Sequence, residues 1–211
     1  MLRTDGRLAR GERSRVAILD AAVALATEAG LEGLSLGQLA QRLGVSKSGL
    51  FAHWSSKEEL QLATIERARE HLIDRVISPA LRAPRGVRRL FALHETRMAY
   101  VISVELPGGC FFTNAQFEYD ARLGPVRDRL VEVLTEWLRL IQRLAAEAVE
   151  AGELNADTDP GALAFELNAF ATEAVHQSKL MPDLDVLAIS RTVALRRLRA
   201  LCTDPTLLPE A

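Results

Sequence analysis

Hydrophobic residues recur along this chain at intervals of three and four, which is the spacing of one face of an α-helix. The first long pattern runs through Ile18, Val23 and Ala26 and ends at Gly30, a residue suited to a left-handed helix terminus. The sequence contains no alternating apolar and polar run joined by a hairpin dipeptide. The pattern therefore predicts an all-α protein.

Helix-capping residues divide the rest of the chain into further elements. Ser35, with Gln38 three residues later, is typical of a helix N-terminus, and Gly44 is a suitable end for that short helix. The segment 106–123 is predicted to be an irregular connection, because it carries Pro107, two glycines and a group of aromatic residues. The remaining patterns predict helices over about 47–53, 56–77, 86–104, 125–151, 160–180 and 185–202.

Composition supports this fold class and adds an asymmetry of charge. Among the 211 residues are 31 Ala and 34 Leu, both strong helix formers, and 48% of the chain is hydrophobic. Residues 1–57 contain eight basic and five acidic residues, whereas the remainder contains 18 and 23. A small basic head on an acidic body favours a polyanion as one partner of the head.

Several classes of protein are excluded at this stage. No run of 18 apolar residues is present to cross a membrane, and the basic N-terminus is not followed by the apolar core of a secretory signal. Cys110 and Cys202 are too few and too far apart for a disulfide framework or a zinc site, and the four histidines are not paired at helical spacing. We expect a cytoplasmic protein with no metal and no cofactor.

Residues 36–54 have the spacing of a helix-turn-helix. Ala40 is small where a second helix would cross, and Gly44 permits the positive φ that the turn requires. Val45 and Leu50 are predicted to fill the space between the two helices. Such a unit places the N-terminal residues of its second helix in the DNA major groove. On spacing alone, two ordinary short core helices remain an alternative.

The outward face of the second helix offers groups that suit DNA. Small side chains at 48 and 49 allow close approach of the backbone, and Lys47 and His53 can reach phosphate. Lys57 lies at the start of the next helix, where free backbone amides favour an anion.

The run VSKSGLFAHWSSKEEL, from Val45 to Leu60, closely resembles the signature of the TetR (tetracycline-repressor) family of bacterial transcription regulators. The resemblance covers about residues 12–65 and includes the first helix ending in Ala29-Gly30. Phe51 stands where tyrosine is usual and lacks the hydroxyl that customarily contacts phosphate, and Trp54 stands where phenylalanine is usual. Leu50 and Trp54 are assigned to packing.

The resemblance implies a homodimeric regulator, more often a repressor, that reads a palindromic operator and is released by a small, largely apolar effector bound in its body. It implies that helices about 160–180 and 185–202 pair with their copies in the dimer. Ser35 and Lys57 would contact phosphate. The full set of predicted DNA-binding residues is Ser35, Gln38, Lys47, Ser48, Gly49, Phe51, His53 and Lys57. Members of this family are not enzymes.

Candidates for effector binding in the body are aromatic or buried polar residues on predicted helix faces and in the irregular connection. For each of them, ordinary core packing is the alternative. Cys110 has no basic neighbour, so a plain buried thiol explains it better than a redox sensor does. The candidates are Phe91, His94, Phe111, Phe112, Phe117, Trp137 and Asn168.

The predicted organisation is a flexible basic tail over 1–11, a DNA-binding head over 12–65 and a ligand-binding and dimerisation body over 66–211. Gly33-Leu34-Ser35-Leu36-Gly37 matches the nucleophile elbow of hydrolases, but no strand is predicted before it and a helix cap explains Ser35. Two other functions stay open: an all-helical enzyme or small-molecule carrier without DNA binding, and a DNA-binding protein without an effector.

Overall fold

A computed structural model of the protein describes residues 3–46, 48, 50 and 53–210, with side chains from residue 14 onward. Over these residues the secondary structure is helical and contains no β-strand, which confirms the all-α prediction. The helices are α1 (Arg3–Ala29), α2 (Leu36–Leu43), α3 (Lys57–Leu72), α4 (Val87–Val101), α5 (Phe111–Tyr119), α6 (Pro125–Glu150), α7 (Pro160–Leu180) and α8 (Val186–Leu201).

Two predicted elements are corrected by the structure. Helix α1 begins at Arg3, so residues 3–11 are helical rather than an irregular tail. Apolar periodicity indicates a helix that buries one face. A stretch rich in Arg, Leu and Ala, such as residues 3–11, can form a helix without that periodicity. The segment 106–123, predicted to be an irregular connection because of its proline, glycines and aromatic residues, contains helix α5.

Local capping explains both ends of α2 and the start of α7. The Ser35 hydroxyl accepts a hydrogen bond from the Gln38 amide at the start of α2, and Gly44 ends that helix with φ +65°. Asp159 accepts hydrogen bonds from the first amides of α7, whose first residue is Pro160. The helix predicted over 56–77 extends slightly further than expected. After α3 the chain continues as a π-helical turn, Ile73–Ile77, and a short helical segment, Ser78–Ala80, which includes Pro79.

The chain folds as two compact units. The first comprises Met1–Glu70 and Val104–Leu130, and the second comprises His71–Ser103 and Val131–Ala211. Residues 104–130 thus belong with the first unit, which a division of the chain near residue 65 does not anticipate. In the first unit, α1 packs against α2 and α5.

In the second unit, α4, α7 and α8 pack on one another, and residues of α6 join them in a single apolar core. The largest contribution comes from leucine, with Phe91 and Trp137 as the aromatic members of the core. None of the helices, over the residues whose positions are described, is long and apolar enough to span a bilayer.

Candidate functional site

The helix-turn-helix geometry predicted for residues 36–54 is present in the parts that the structure describes. Ala40 is buried, and Gly44 adopts the left-handed conformation. Leu50 is buried, as predicted, but Val45 is 47% exposed. Val45 directly follows the left-handed turn, and its backbone amide donates a hydrogen bond to the Ala40 carbonyl. Its backbone, rather than its side chain, therefore stabilises the turn between the two helices.

The recognition segment, residues 45–56, presents a polar surface at its described positions. Ser48 is exposed and helical, and His53 is half-buried with its ring 5.4 Å from that of Trp54. Trp54 is buried, and the Arg15 guanidinium of α1 lies 5.7 Å from the centre of its ring. The predicted contacts Lys47, Gly49 and Phe51 lie outside the described residues.

The two capping residues of α2 have a structural role as well as a predicted DNA contact. The Ser35 hydroxyl donates to the Gln38 side-chain oxygen at 2.9 Å while accepting from the Gln38 amide at 3.2 Å. Gln38 is exposed, and Ser35 is half-buried. Both side chains are therefore held in place at the start of α2 before any DNA is bound.

Lys57 is exposed at the first position of α3, where it was predicted to contact phosphate. Its ammonium forms an ion pair with Glu32 in the turn between α1 and α2, at 2.8 Å. Glu32 also accepts hydrogen bonds from the Tyr119 hydroxyl and from the buried side-chain amide of Gln61. A phosphate at this position would compete with Glu32 for the same ammonium.

The environment of Glu32 strongly favours its charged form. The hydrogen bonds from Lys57 and then Tyr119 lower the pKa of Glu32 to about 2. Burial and the adjacent Glu32 carboxylate raise the pKa of Tyr119, so its hydroxyl stays a donor. A fixed negative charge therefore lies beside the predicted phosphate contact.

Helix α5 binds the same turn through Glu118. Its carboxylate accepts from the amides of Leu31 at 2.7 Å and Glu32 at 3.0 Å. Gly30, with φ +80°, leaves room for this contact, since a Cβ there would lie 2.7 Å from Glu118 Oε1. Sequence reasoning missed Glu118, because it binds residues 86 and 87 positions away in the chain.

In the second unit, three of the predicted effector contacts come together around a small cavity. His94 of α4 and Trp137 of α6 line it, and Asn168 of α7 accepts hydrogen bonds from Trp137 and from Arg97, each at 3.0 Å. The cavity measures about 20 Å³, room for about one water molecule. Its other walls are Arg97 and the apolar side chains of Leu90, Leu93, Ile141, Leu167 and Ala171.

The predicted phenylalanines do not line this cavity. Phe91 is buried in the core of the second unit, with the Arg191 guanidinium 5.4 Å from its ring centre. Phe111 and Phe112 belong to α5 of the first unit, where they are buried against each other edge to face, and Phe117 of the same helix is 52% exposed.

Arg97 is the charged residue of this cavity, and sequence reasoning missed it together with the aliphatic lining residues. It is only 8% exposed and its guanidinium lies 5.4 Å from the centre of the Trp137 ring. Its spacing was the available signal, because Leu90, His94 and Arg97 follow one another at intervals of four and three on one helix face.

His94 is neutral at ordinary pH. Burial, followed by the positive charges of Arg97 and Arg191, lowers the pKa of His94 to about 4. The Ser190 hydroxyl donates to the Phe170 carbonyl at 3.0 Å and lies 3.4 Å from His94 Nε2. Among the described residues, no three His, Cys, Asp or Glu side chains converge to hold a metal ion.

A second concavity lies between α7 and α8 and measures about 380 Å³. It is lined mainly by apolar side chains of both helices and of the loop between them, among them Phe170, Ala174, Leu184, Ile189 and Val193. Ile189 is 49% exposed, and Leu184 and Val193 are also exposed. Helices α7 and α8 are the pair predicted from the resemblance to form a dimer.

Two family models match the chain in the order expected from this architecture. Residues 18–64 match the model of "Bacterial regulatory proteins, tetR family", and residues 86–193 match that of "Tetracyclin repressor-like, C-terminal domain". The chain belongs to the TetR family. Proteins of this family are transcriptional regulators with a DNA-binding helix-turn-helix, not enzymes.

Known proteins similar to this TetR-family chain agree with that assignment. It is 32% identical to the transcriptional regulator AcuR of Cereibacter sphaeroides over 143 residues, which are 65% of this chain and 64% of that regulator. A TetR regulator from Chloroflexus aurantiacus superposes with a TM-score of 0.84 at 24% identity, over 92% of this chain and 98% of that one.

A second similar structure was solved with a ligand. A regulator from Saccharomonospora viridis, solved in complex with choline, superposes with a TM-score of 0.72 at 20% identity, over 90% of this chain and 95% of that one. At 20% identity, the similarity between the two chains shows a shared fold and nothing more specific.

Proposed function

We propose that this TetR-family protein is a sequence-specific transcriptional regulator, a repressor, that binds a palindromic DNA operator as a homodimer in the cytoplasm. The observation that carries the proposal is the helix-turn-helix, whose apolar side, including Leu50 and Trp54, is buried while Ser48 is exposed. A helix presented in this way can enter a major groove without rearrangement of the core.

Within this function, residues 12–65 act as the DNA-binding head, and residues 66–211 serve dimerisation and effector binding. Backbone phosphates would be contacted by Ser35 and Lys57, with Gln38 close to them at the start of α2. The other proposed DNA contacts lie on the recognition segment: Lys47, Ser48, Gly49, Phe51 and His53. Phosphate contacts set affinity and salt dependence, and the few base contacts set the sequence.

The dimer is proposed to form through α7 and α8. Exposed apolar side chains on these helices, including Phe165, Ile189 and Val193, supply a surface that a second copy can cover. The groove between the two helices is continuous with that surface through Ile189 and Val193. A twofold dimer would then present two recognition segments to the two halves of a palindrome.

The body is proposed to bind a small effector that releases the protein from DNA. The small cavity of the second unit, which is mainly apolar but includes His94 and Arg97 in its lining, favours this function over that of a DNA-binding protein without an effector. A two-headed dimer requires its recognition segments about one DNA turn apart, roughly 34–36 Å. A ligand that favours a different spacing would weaken binding by about 1–3 kcal/mol.

A gel-shift experiment with DNA from upstream of the protein's own gene tests this proposal. The wild-type chain should form a discrete complex that competitor DNA of unrelated sequence does not remove. Ser48→Asp should abolish the complex by bringing a negative charge to the groove. Glu70→Gln, which alters an exposed ion pair with Arg67, is the control and should bind normally. Equal competition by any DNA would contradict sequence-specific regulation.

A further inference from the structure

We infer that Arg122 is a positioning residue for DNA binding, placed to hold the Glu32 carboxylate when Lys57 leaves it for a DNA phosphate. The inference rests on the proposed function, in which Lys57 contacts a phosphate. It adds to that function a residue outside the DNA-binding head of residues 12–65, in the loop that follows α5. Arg122, Glu32 and Lys57 all belong to the first compact unit.

The two carboxylate oxygens of Glu32 have different partners. Oε1 accepts a hydrogen bond from the Lys57 ammonium at 2.8 Å. Oε2 accepts from the Tyr119 hydroxyl at 2.9 Å and from the Gln61 side-chain amide at 3.3 Å. The same Oε2 lies 3.6 Å from a terminal guanidinium nitrogen of Arg122. Departure of Lys57 would therefore leave the partners of Oε2 in place and the carboxylate close to Arg122.

Arg122 is kept near this carboxylate by contacts of its own. Its Nε donates to the Glu118 carbonyl at 3.0 Å, and its guanidinium lies 5.2 Å from the centre of the Tyr119 ring. The arginine side chain is 46% exposed, so it can shift without disturbing the core. A movement of less than about 1 Å would bring the guanidinium within hydrogen-bond distance of Glu32 Oε2.

The charges around the turn between α1 and α2 explain why a second cation matters. Two carboxylates lie at this turn: that of Glu32, and that of Glu118, which accepts from two backbone amides of the turn. If Lys57 turned to a phosphate and no cation replaced it, the Glu32 carboxylate would be unpaired beside the DNA backbone and would repel it. Arg122 reduces this cost, because its planar guanidinium can bind a carboxylate through two nitrogens.

A double-mutant cycle on DNA affinity tests the inference, with fluorescence anisotropy of the full chain on DNA that it binds specifically. Arg122→Gln should weaken binding about two- to fivefold, the range expected for one exposed ion pair. In the Glu32→Gln background the same substitution should have no effect, since the carboxylate with which Arg122 pairs is absent. The salt slope should stay unchanged, because Arg122 itself contacts no phosphate.

Two results of this cycle would overturn the inference. Equal weakening by Arg122→Gln with and without the Glu32 carboxylate would show that Arg122 acts on DNA independently of Glu32, and a salt slope lowered by about one would make it a phosphate contact itself. No weakening in either background would make the approach of Arg122 to Glu32 an ordinary surface pair without a role in DNA binding.

Two further variants control for the loss of one positive charge. Arg127→Gln removes an arginine of the same unit that pairs with Asp128, and it should leave DNA affinity unchanged. Arg122→Lys keeps the charge without the planar guanidinium and should retain part of the affinity that Arg122→Gln loses. Equal weakening by Arg127→Gln and Arg122→Gln would assign the effect to general charge and contradict the inference.

Urea unfolding without DNA separates this inference from the proposed function. In the Lys57→Ala background, which imitates the departure of Lys57, Arg122→Gln should lower the free energy of unfolding more than it does when Lys57 is present. Equal losses in the two backgrounds would overturn the inference even for a chain that binds its operator. A larger loss without Lys57, in a chain that binds no DNA sequence specifically, would overturn the regulator function and leave the pairing of Glu32 with Arg122 intact.

Discussion

The ammonium of Lys57 cannot fully satisfy both Glu32 and a DNA phosphate. In the structure it pairs with Glu32, which Tyr119 and Gln61 hold in position. The sequence identified Lys57 as a cation at a helix N-terminus, but it contained no sign of the acid 25 residues away that faces it. If Lys57 contacts a phosphate as proposed, that phosphate competes with Glu32 for the ammonium.

Substitutions of Lys57 and of Glu32 should shift DNA affinity in opposite directions. Lys57→Ala should weaken binding to all sequences about tenfold and lower the magnitude of the salt slope by about one. Glu32→Gln should tighten binding several-fold, because it removes a negative charge near the phosphates and releases Lys57 from its ion pair, while the amide oxygen can still accept from Tyr119 and Gln61. Fluorescence anisotropy over a series of salt concentrations measures both effects.

The control for this pair is again Glu70→Gln, whose exposed ion pair with Arg67 lies at the other end of α3. It should leave both affinity and salt slope unchanged. A folded Glu32→Gln protein that bound DNA more weakly than wild type would contradict the competition between Glu32 and phosphate.

His94 should make the stability of the protein depend on pH. Its pKa of about 4 lies below the value of 6.5 for an unfolded histidine, so the unfolded chain binds the proton first as pH falls. Stability contributed by neutral His94 is complete above about pH 6.5 and is lost as pH falls towards 4. Between about pH 7 and pH 5 the loss should be about 2 kcal/mol.

Urea unfolding of wild type and His94→Gln at these two pH values checks the effect. The variant should lose about 2 kcal/mol less than wild type on acidification, since the other histidines are common to both proteins. Identical pH dependence of the two proteins would contradict a buried, neutral His94.

At the level of helices, local sequence signals were sufficient where a helix is defined by its own caps. Ser35 with Gln38, Gly44, and Asp159 before Pro160 each act within a few residues, and their helix ends were predicted correctly. Helix α5 was missed because distant contacts hold it. Asn114 donates to the Thr27 carbonyl as well as to that of Gly108, and Glu118 binds the turn after α1.

The close approach of Gly108 to α1 gives a test of that packing. A Cβ at position 108 would lie 1.8 Å from the Thr27 carbonyl oxygen, so Gly108→Ala must move backbone atoms apart. We expect a loss of stability of at least about 2 kcal/mol in chemical unfolding. Gly161→Ala is the matched control, since the atoms nearest to its Cβ would be Asp159 Oδ1 at 3.2 Å and Gln142 Nε2 at 3.6 Å, and it should cost less than about 1 kcal/mol.

The proposed interface of α7 and α8 can be tested by placing a charge on it. Ile189→Asp should convert the dimer to monomer, because an unpaired carboxylate would be buried between two copies. Sedimentation equilibrium measures the change, which should be at least about a hundredfold in the dissociation constant. Leu123→Asp, at a residue that is 92% exposed in the first unit, is the control. A dimer unaffected by Ile189→Asp would place the interface elsewhere.

For the molecule as a whole, fold class and the helix-turn-helix were accessible from sequence, because periodicity and capping are local properties. The proposed effector site was only partly accessible from the sequence. His94 and Trp137 were identified as candidates, but the cavity depends on how α4, α6 and α7 pack, and that packing places Arg97 inside it. In predicting a cavity from sequence, a charged residue on an apolar helix face is therefore as useful a signal as an aromatic residue.

Selection of bound sequences from a pool of random double-stranded DNA tests the central claim most directly. The full-length chain should enrich a palindrome whose half-site centres lie about one DNA turn apart, roughly 34–36 Å. Ser48→Asp, selected in parallel, should enrich nothing. If the wild-type chain enriched no sequence, or enriched only single half-sites without a symmetric partner, the account of a dimeric operator-binding regulator would be contradicted.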